Sequence, residues 1–532
     1  MKKIYLLLLF TTVSFFCNAQ KQVDNSRPKL IVNIAIDGLR SDYLSMFWDN
    51  FSADGFRRLM STGCYCKNMS FPYLSCGNAA DYASVFTGTI PSDHGISGDT
   101  YFEQKTKREL SCVYDIEKKG VAGNAYVSPK SLVASTFIDE IKINTQGKAK
   151  IITIALSPEE AIMMAGHAGN GTVWIDENSG DWMSTSYYGN VLPDWAIQAN
   201  NISQVQNNIR RNWSNLYIGS NYKATSAQTG ISSFFAYSMI ETLGKNYSYK
   251  KYRQSPFANS SVRELAIRAV KNEYIGINDV PDVLNLQFSV RGFNQANAGV
   301  LTAEIQDMYF RIDRELKILL DTLDATCGEN NVLYVVYAPQ TEYISPEKMK
   351  SFNVPTGYFV VDRSLSLLST YLMAIYGQVD FVDGYANRHL YLNKEEIASK
   401  KLDIREVEQK VADFMSRFSG VQYAIRAEDL QQLSCDKDKI QKAKNAFNRN
   451  KAGDIVLFLM PGWVDVPTES EKVGVSSRIN NYAPFMMCGW RVKKQAIEKP
   501  FSVVDIAPTI CNMLNISYPN SNIGNPLLDV LR

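Results

Sequence analysis

Runs of apolar residues divide the chain into strand-length and helix-length segments. Runs of mainly apolar residues lie at 30–36 (LIVNIAI), 149–155, 283–288 and 332–337, and such runs are typical of parallel strands that are buried on both faces. Between the last two runs, residues 301–323 carry apolar side chains three and four positions apart, which predicts an amphipathic helix. The pattern therefore predicts an α/β fold with a mostly parallel central sheet that is flanked by helices and carries inserted subdomains.

The first of these runs ends at an acidic residue. Asp37 and Gly38 directly follow LIVNIAI, and α/β proteins present their sites where parallel strands end. Downstream, the stretch 71–99 is predicted as a loop, a short helix over 79–86, a Gly-Thr-Ile-Pro turn and a second loop. We therefore expect a site at the edge of the sheet, between Asp37 and this stretch.

Two motifs in this part of the chain resemble those of a known family. IAIDGLRSDYL, followed about forty residues later by ASVFTGT-x-P-x-x-HGI, is similar to the alkaline phosphatase superfamily. Within it, the branches that it resembles are the phosphate-irrepressible alkaline phosphatases and the type I phosphodiesterases and nucleotide pyrophosphatases. Weaker similarities continue to VDIAPTICNML at 504–514, so that the resemblance spans nearly the whole chain.

This resemblance implies a two-zinc site, in which aspartate and histidine ligands hold the metal ions and a threonine attacks phosphorus. Asp37 matches the first aspartate and is the one ligand position that survives. Asn78 occupies the nucleophile position, and Tyr82 the histidine position that follows it. The other metal positions are also substituted, by Gly292, Ala296, Ala338, Pro339 and Tyr482.

The residues that would bind phosphate are replaced as well. Ser157 and Glu159 stand in the places of a lysine and an arginine, and Asp99 stands in the place of an asparagine. A carboxylate at such a site repels a phosphate dianion. We therefore expect no catalysis at Asn78, Asp99, Ser157 or Glu159 and, although the family uses two zinc ions, no cofactor.

The remaining polar residues are predicted to be structural. His94, His167 and His389 are the three histidines of the chain, and none matches a ligand position. Asn78 is predicted to cap the next helix, with Asp81 complementing the helix dipole.

Two charged residues have a predicted place at the site. Asp37 is expected to accept backbone N–H bonds. Arg291, beside Gly292, is expected to bring its guanidinium toward Asp37, Asp99 or Glu159.

The start of the chain has the pattern of a secretory signal. Lys2 and Lys3 precede an apolar stretch at 4–16, and Cys17-Asn18-Ala19 is a suitable cleavage site. No other run approaches the 18 or more apolar residues of a membrane helix. Residues 1–19 therefore predict export, with the mature protein periplasmic or secreted and without a transmembrane segment.

The family motifs are spread along the chain, which predicts one large domain with insertions. The predicted divisions are a phosphatase-like core at 28–354 with an insertion at about 168–280, a small α/β subdomain at 355–450, and a return to the core at 451–532. Without the signal, 54 basic side chains balance 54 acidic ones, which argues against a nucleic-acid partner. Eight cysteines remain after processing, and in an oxidising compartment they permit disulfides whose connectivity stays open.

Two functions from different classes remain open at this point. In the first, the protein is a catalytically inactive pseudo-phosphatase that binds or scaffolds an unidentified protein partner in the cell envelope. In the alternative, it is an active metal-dependent phosphomonoesterase or phosphodiesterase with a rebuilt site. There, Ser75 or Cys76 would attack, and Asp37, Asp99 or Glu159 would hold a hard cation such as Mg²⁺ or Ca²⁺.

Overall fold

A computed structural model describes residues 27–218, 221–243, 249–292, 301–340, 345–433, 438–470 and 481–530. The predicted signal at 1–19, the predicted metal position Ala296 and one of the eight cysteines, Cys435, lie outside these ranges. Nothing in the structure therefore bears on those predictions.

The described residues form strands and helices throughout. The strands are β1 (Leu30–Asp37), β2 (Cys64–Ser70), β3 (Thr100–Glu103), β4 (Arg108–Ser111), β5 (Gly120–Val121), β6 (Ile151–Ala155), β7 (Gly171–Ile175), β8 (Trp182–Thr185), β9 (Asn212–Ser214), β10 (Ala236–Ser238), β11 (Asp282–Ser289), β12 (Val332–Tyr337), β13 (Gly357–Val360), β14 (Val382–Ala386), β15 (His389–Leu392), β16 (Val421–Arg426), β17 (Ile455–Leu459), β18 (Trp463–Val466), β19 (Tyr482–Gly489) and β20 (Gln495–Ile497). The α-helices are α1 (Ser41–Met46), α2 (Phe56–Thr62), α3 (Asn78–Thr87), α4 (Pro91–His94), α5 (Phe137–Asn144), α6 (Pro158–Ala165), α7 (Asp194–Asn201), α8 (Gln204–Ile209), α9 (Met239–Leu243), α10 (Tyr249–Tyr252), α11 (Pro256–Glu273), α12 (Ala303–Cys327), α13 (Pro346–Ser351), α14 (Val361–Tyr376), α15 (Lys394–Ser399), α16 (Ile404–Met415), α17 (Ala427–Gln432), α18 (Asp438–Ala446) and α19 (Ile506–Leu514).

The main sheet confirms the predicted α/β fold. Within the described ranges it has ten strands in the order β20-β2-β19-β12-β1-β11-β6-β7-β8-β5. The five strands from β12 to β7 run parallel, whereas β19 is antiparallel to both of its neighbours, β12 and β2. All eight residues of β1 are buried, as expected for a strand that is covered on both faces. The carboxyl ends of the five parallel strands meet at one edge, where Asp37 lies.

The segment 168–280 contributes to this sheet as well as to its surroundings. β7 and β8 are strands of the main sheet, and α11 packs against β11 and α12. The sequence pattern did not indicate α11, because part of its buried face is polar. Asn259 exchanges two hydrogen bonds with the backbone of Ser289, at 2.7 and 2.9 Å.

A second, smaller sheet has the order β14-β15-β17-β16 and a separate apolar core that includes Phe359, Leu390 and Leu457. β17 lies beyond residue 450, where the subdomain was predicted to end. The domain divisions given above stay a prediction.

Hydrogen bonds attach this subdomain to the loop before α3. The backbone N–H of Leu74 donates to Lys442 O at 3.1 Å, and Asn445 Nδ2 donates to Pro72 O at 2.6 Å.

Two further expectations concern membranes and disulfides. Among the described helices, none has both the length and the hydrophobicity that a bilayer crossing requires. The seven cysteines within the described ranges are free thiols, so the permitted disulfides do not form among them.

Candidate functional site

Asp37 is at the centre of the site, at the end of β1, with 5% of its surface exposed. Its Oδ1 accepts a hydrogen bond from the hydroxyl of Tyr82 at 2.7 Å. Its Oδ2 accepts from Asn78 Nδ2 at 3.2 Å and from Gln287 Nε2 at 2.9 Å. These donors are side chains, whereas backbone N–H groups were expected. Both carboxylate oxygens are thus bound by protein donors, as a buried charge requires.

Asn78 connects Asp37 to a cation. It is the first residue of α3 and follows the N-cap, Gly77, so the prediction that Asn78 itself caps the helix is wrong. Its Oδ1 accepts a hydrogen bond from Arg291 Nη2 at 2.9 Å. The guanidinium therefore reaches the site, as expected, and contacts the amide of Asn78 there.

The N-terminus of α3 holds the carboxylate of Asp99, which was not predicted. Asp99 Oδ1 accepts the backbone N–H of Ala79 at 2.8 Å. Gly77 makes this approach possible, because its φ is +117° and a Cβ at that position would lie 2.6 Å from the Asp99 carboxylate. An anion at a helix N-terminus is favoured by the free N–H groups and by the dipole. In this chain, a side chain of the protein supplies that anion.

Asp99 itself faces solvent at the mouth of the site. The protein packed around it raises the pKa of its carboxyl to about 6, and the charge of Glu159 acts in the same direction. The N–H of Ala79 and the charge of Arg291 oppose this shift. Asp99 therefore exchanges its proton close to neutral pH.

Asp81 lies in the first turn of α3, as predicted, and its carboxylate also has a tertiary role. It is buried and accepts hydrogen bonds from Tyr73 Oη at 3.0 Å, from Gln340 N at 2.7 Å and from Gln340 Nε2 at 3.0 Å. Burial raises the pKa of this carboxyl to about 7. Asp81 thus connects α3 to the segment that follows β12.

The start of α6 adds two further acids to the site. Ser157 precedes the helix and its hydroxyl donates to Glu160, while Glu159 Oε1 accepts from Ser111 Oγ at 2.7 Å. Burial raises the pKa of Glu160 well above its usual range, and the charges of Asp37, Glu159 and Asp99 add to this effect. The place of the expected phosphate-binding cations is therefore acidic.

The other substituted positions lie around this edge of the sheet. Gly292 has a φ of +73°, and a Cβ there would lie 3.0 Å from Ile305 Cδ1. Ala338 and Pro339 follow β12 and are buried. Tyr482 begins β19, with 44% of its surface exposed. Because Tyr337 pairs with Phe485, Tyr482 lies beyond the carboxyl end of β12, on the same edge as Asp37 and Asn78.

Two of the three histidines, His94 and His167, have structural contacts among the described residues, whereas the buried Nδ1 of His389 has no hydrogen-bond partner there. His94 is buried between Ser84 Oγ at 3.0 Å and the N–H of Ile96 at 3.2 Å, and burial lowers its pKa to about 3. His167 pairs with Asp139 Oδ2 at 2.9 Å. His389 lies in the small subdomain, where burial lowers its pKa to about 4.

Sequence reasoning missed several residues that complete the site, namely Tyr73, Glu160, Gln287 and Gln340. One signal was available for Gln287, which is one of two polar residues in the mainly apolar run 283–288. A buried polar side chain needs a hydrogen-bond partner, and Asp37 ends the neighbouring strand. Glu160 gave no comparable signal, because acids in the first turn of a helix are common.

Comparisons with known proteins agree with this architecture. Residues 31–490 match the family model described as type I phosphodiesterase / nucleotide pyrophosphatase. The alkaline phosphatase PafA of Elizabethkingia meningoseptica is 26% identical over 99% of this chain and 98% of its own length. The alkaline phosphatase PhoV of Synechococcus elongatus is 27% identical over 99% of each chain.

A solved structure of PafA shares the fold. It is a variant with substitutions at a threonine, an asparagine, a lysine and an arginine, and it superposes with a TM-score of 0.86 at 25% identity. The match covers 95% of this chain and 99% of the PafA chain.

These matches correct the expectation that the protein has no cofactor. That expectation is wrong. The matches to the two alkaline phosphatases extend over nearly their whole lengths, and phosphatases of this kind act through two metal ions. The donor set of this chain does not fit such a zinc pair. Both oxygens of Asp37 accept protein hydrogen bonds, and the described residues contain no group of three or more His, Cys, Asp or Glu side chains arranged to hold a metal.

Proposed function

The chain belongs to the type I phosphodiesterase / nucleotide pyrophosphatase family, in the branch of the alkaline phosphatases PafA and PhoV, and from this premise we propose that it is an inactive pseudo-phosphatase that acts by binding or scaffolding. The observation that carries the proposal is the residue type and the hydrogen bonding of Asn78. An amide stands at the nucleophile position, and it donates to Asp37 while it accepts from Arg291. An amide has no nucleophilic oxygen that a base can activate.

The assignment of Asn78 and Asp99 to family positions is supported by their spacing. In the PafA variant, the substituted threonine and asparagine are separated by the same number of residues as Asn78 and Asp99. Asn78 thus corresponds to that threonine and Asp99 to that asparagine.

Electrostatics favours the same conclusion. A phosphoryl group at the start of α3 would meet the carboxylate of Asp99 on the N–H of Ala79. Glu159 and Glu160 lie close enough to influence the pKa of Asp99 or to be influenced by it. Oxygen atoms that develop negative charge in a transition state need donors and cations around them. Here, acids occupy most of that space, and the guanidinium of Arg291 is directed to the amide of Asn78.

The proposed location is the cell envelope. The charged and apolar pattern of residues 1–19 supports export, and no described helix could span a membrane. The proposed partner is an envelope protein whose identity the sequence does not indicate.

A second candidate is an active phosphomonoesterase or phosphodiesterase with a rebuilt site. The names of the relatives favour it, since both are alkaline phosphatases. The geometry is less favourable. Cys76 donates its thiol hydrogen to Leu74 O at 3.0 Å, and burial raises the pKa of this thiol far above neutral, which keeps it from becoming a thiolate. Ser75 is exposed, and within the described residues it has no hydrogen bond to a base.

An activity assay separates the two candidates. The mature protein is tested with p-nitrophenyl phosphate and bis-p-nitrophenyl phosphate, with added Zn²⁺, Mg²⁺ or Ca²⁺, beside an Asn78→Ala variant. We expect both proteins to show the same background rate under every condition. Turnover that the Ser75→Ala, Cys76→Ala or Asn78→Ala substitution abolishes would overturn the proposal and establish the rebuilt enzyme.

A further inference from the structure

A separate cavity of about 390 Å³ lies between the small subdomain and the loop that precedes α3. Its apolar wall includes Leu74, Phe447, Phe458 and Trp463, and two basic residues, Arg388 and Lys439, also line it. The volume is within the range of small-molecule sites, which combine apolar walls with a few polar groups.

Arg388 lies at the tip of the hairpin formed by β14 and β15. The two turn residues, Asn387 and Arg388, have φ values of 50° and 64°. Two positive φ values in a two-residue turn are typical of type I′ hairpins, where glycine is favoured at the second position. Arginine is strained in this conformation, and such strain is found at ligand-binding and active sites.

The guanidinium of Arg388, which this turn carries, lines the cavity. Arg388 Nε donates to Asp465 Oδ1 at 3.2 Å, and Tyr385 Oη donates to Asp465 Oδ2 at 3.0 Å. Among the described residues, none accepts a hydrogen bond from the two η nitrogens of Arg388. Asp465 therefore orients the guanidinium and leaves its outer edge available.

Lys439 adds a second positive charge to the cavity. Its Nζ lies 5.6 Å from the centre of the Phe458 ring and donates to Leu459 O at 3.4 Å. Burial lowers the pKa of Lys439, and the charge of Arg388, which lines the same cavity, lowers it further. Of the described residues that line the cavity, Asp465 is the acidic one, so the lining has an excess of positive charge.

We propose that this cavity binds a small organic anion in which a carboxylate or phosphoryl group is attached to a flat apolar ring. The fork of a guanidinium matches the two oxygens of either anionic group. The aromatic wall would pack against the ring. The cavity lining includes Ser75 and Cys76, the nucleophiles of the second candidate, but neither Asp37 nor Asn78. The inference therefore does not depend on the proposed loss of catalysis at Asn78.

Calorimetric titration tests the proposal with four probes, namely phenylphosphonate, benzoate, inorganic phosphate and benzyl alcohol. Phenylphosphonate has a carbon–phosphorus bond that a phosphatase does not hydrolyse, so binding is measured apart from any catalysis. We expect at least one ring-bearing anion to bind with a Kd below about 1 mM, and at least tenfold more tightly than phosphate or the uncharged alcohol. The comparison of phenylphosphonate with benzoate identifies which anionic group the site prefers.

Three variants locate the binding. Arg388→Gln should weaken it at least tenfold, and Ala446→Phe, which fills the cavity without changing its charge, should abolish it. Arg405→Gln is the control, because this arginine lies on the same subdomain with 71% of its side chain exposed and should not change the Kd. Thermal melting verifies that each variant folds.

The proposal fails if no ring-bearing anion binds the wild-type protein, or if Arg388→Gln and Ala446→Phe both fold and bind as tightly as wild type. Equal binding of benzyl alcohol and benzoate would also overturn it, because the cations would then have no role. If a ring-bearing anion binds and phosphatase turnover is also measured, only the proposed function is refuted. If no such anion binds and no turnover is measured, only the ligand site is refuted.

Discussion

The side-chain amide of Asn78 donates a hydrogen bond to Oδ2 of Asp37 over 3.2 Å. On its other side, the same amide accepts from Arg291 Nη2 at 2.9 Å. A carboxylate and a guanidinium are thus joined through a neutral group that orients both. In an active relative, the corresponding space is the one where nucleophile and metal would meet, so this contact accounts for the proposed loss of chemistry.

Restoring the family residue at this position should not restore activity. We expect Asn78→Thr to hydrolyse p-nitrophenyl phosphate no faster than Asn78→Ala, because a threonine hydroxyl needs an activating metal or base. Gly292 and Ala338, at two of the former ligand positions, offer neither. A steady-state rate for Asn78→Thr above that of Asn78→Ala would show that the surrounding residues still support catalysis.

The hydrogen bond from Tyr82 to Asp37 should contribute to stability. Tyr82→Phe leaves a buried carboxylate oxygen without this donor, and we expect the free energy of unfolding in urea to fall by about 1–3 kcal/mol. Tyr337→Phe is the matched control. The Tyr337 ring lies 6.0 Å from that of Tyr82, and its buried hydroxyl has no hydrogen-bond partner among the described residues. That variant should be as stable as wild type or slightly more so, and equal losses in the two variants would contradict this account.

Gly77 should be sensitive to substitution for two separate reasons. Its φ of +117° is a glycine conformation, and an added Cβ would meet the Asp99 carboxylate. Gly147 has a φ of +80° with nothing within 4 Å of the added Cβ, so it isolates the backbone effect. We expect Gly147→Ala to cost about 1–2 kcal/mol and Gly77→Ala to cost clearly more in chemical unfolding. Similar losses would indicate that the approach of Asp99 contributes little.

The acids around the site should make the protein less stable as the pH rises. The pKa of Asp81 is raised to about 7 and that of Asp99 to about 6, whereas unfolded aspartates titrate near ~4. These carboxyls, together with that of Glu160, therefore bind more protons in the folded state than in the unfolded state between about pH 4 and 7. The lowered pKa values of His94 and His389 oppose this effect. Because three acids outweigh two histidines, the free energy of unfolding falls across that range. Urea midpoints at pH 5 and pH 7.5 measure this difference, and a midpoint that is constant or higher at pH 7.5 would refute it.

The Glu160→Gln variant tests whether Glu160 contributes to this dependence of stability on pH. Burial raises the pKa of this carboxyl, so Glu160→Gln should reduce the loss of stability between the two pH values. Glu395→Gln replaces an exposed acid of the small subdomain and should leave the loss unchanged. If both variants retain the wild-type pH dependence, Glu160 does not contribute to it.

The core elements of the fold were predictable from sequence because each is specified by residues that are close in the chain. The apolar run 332–337 has the observed bounds of β12, and the run 30–36 falls one residue short of the observed end of β1. A mainly apolar run of this length favours a buried strand, because helices are usually longer. The position of Asp37 at the edge of the sheet follows from that assignment alone.

Tertiary structure decided which groups meet at this edge. Tyr82 and Gln287 reach Asp37 from separate elements. The carboxylate of Asp99 accepts the N–H of Ala79 at the start of α3, because Gly77 has a backbone conformation and a lack of side chain that leave room for it. These contacts join residues up to 250 positions apart. No local pattern encodes them, since they depend on the order and register of the strands, and these are set by packing across the whole sheet.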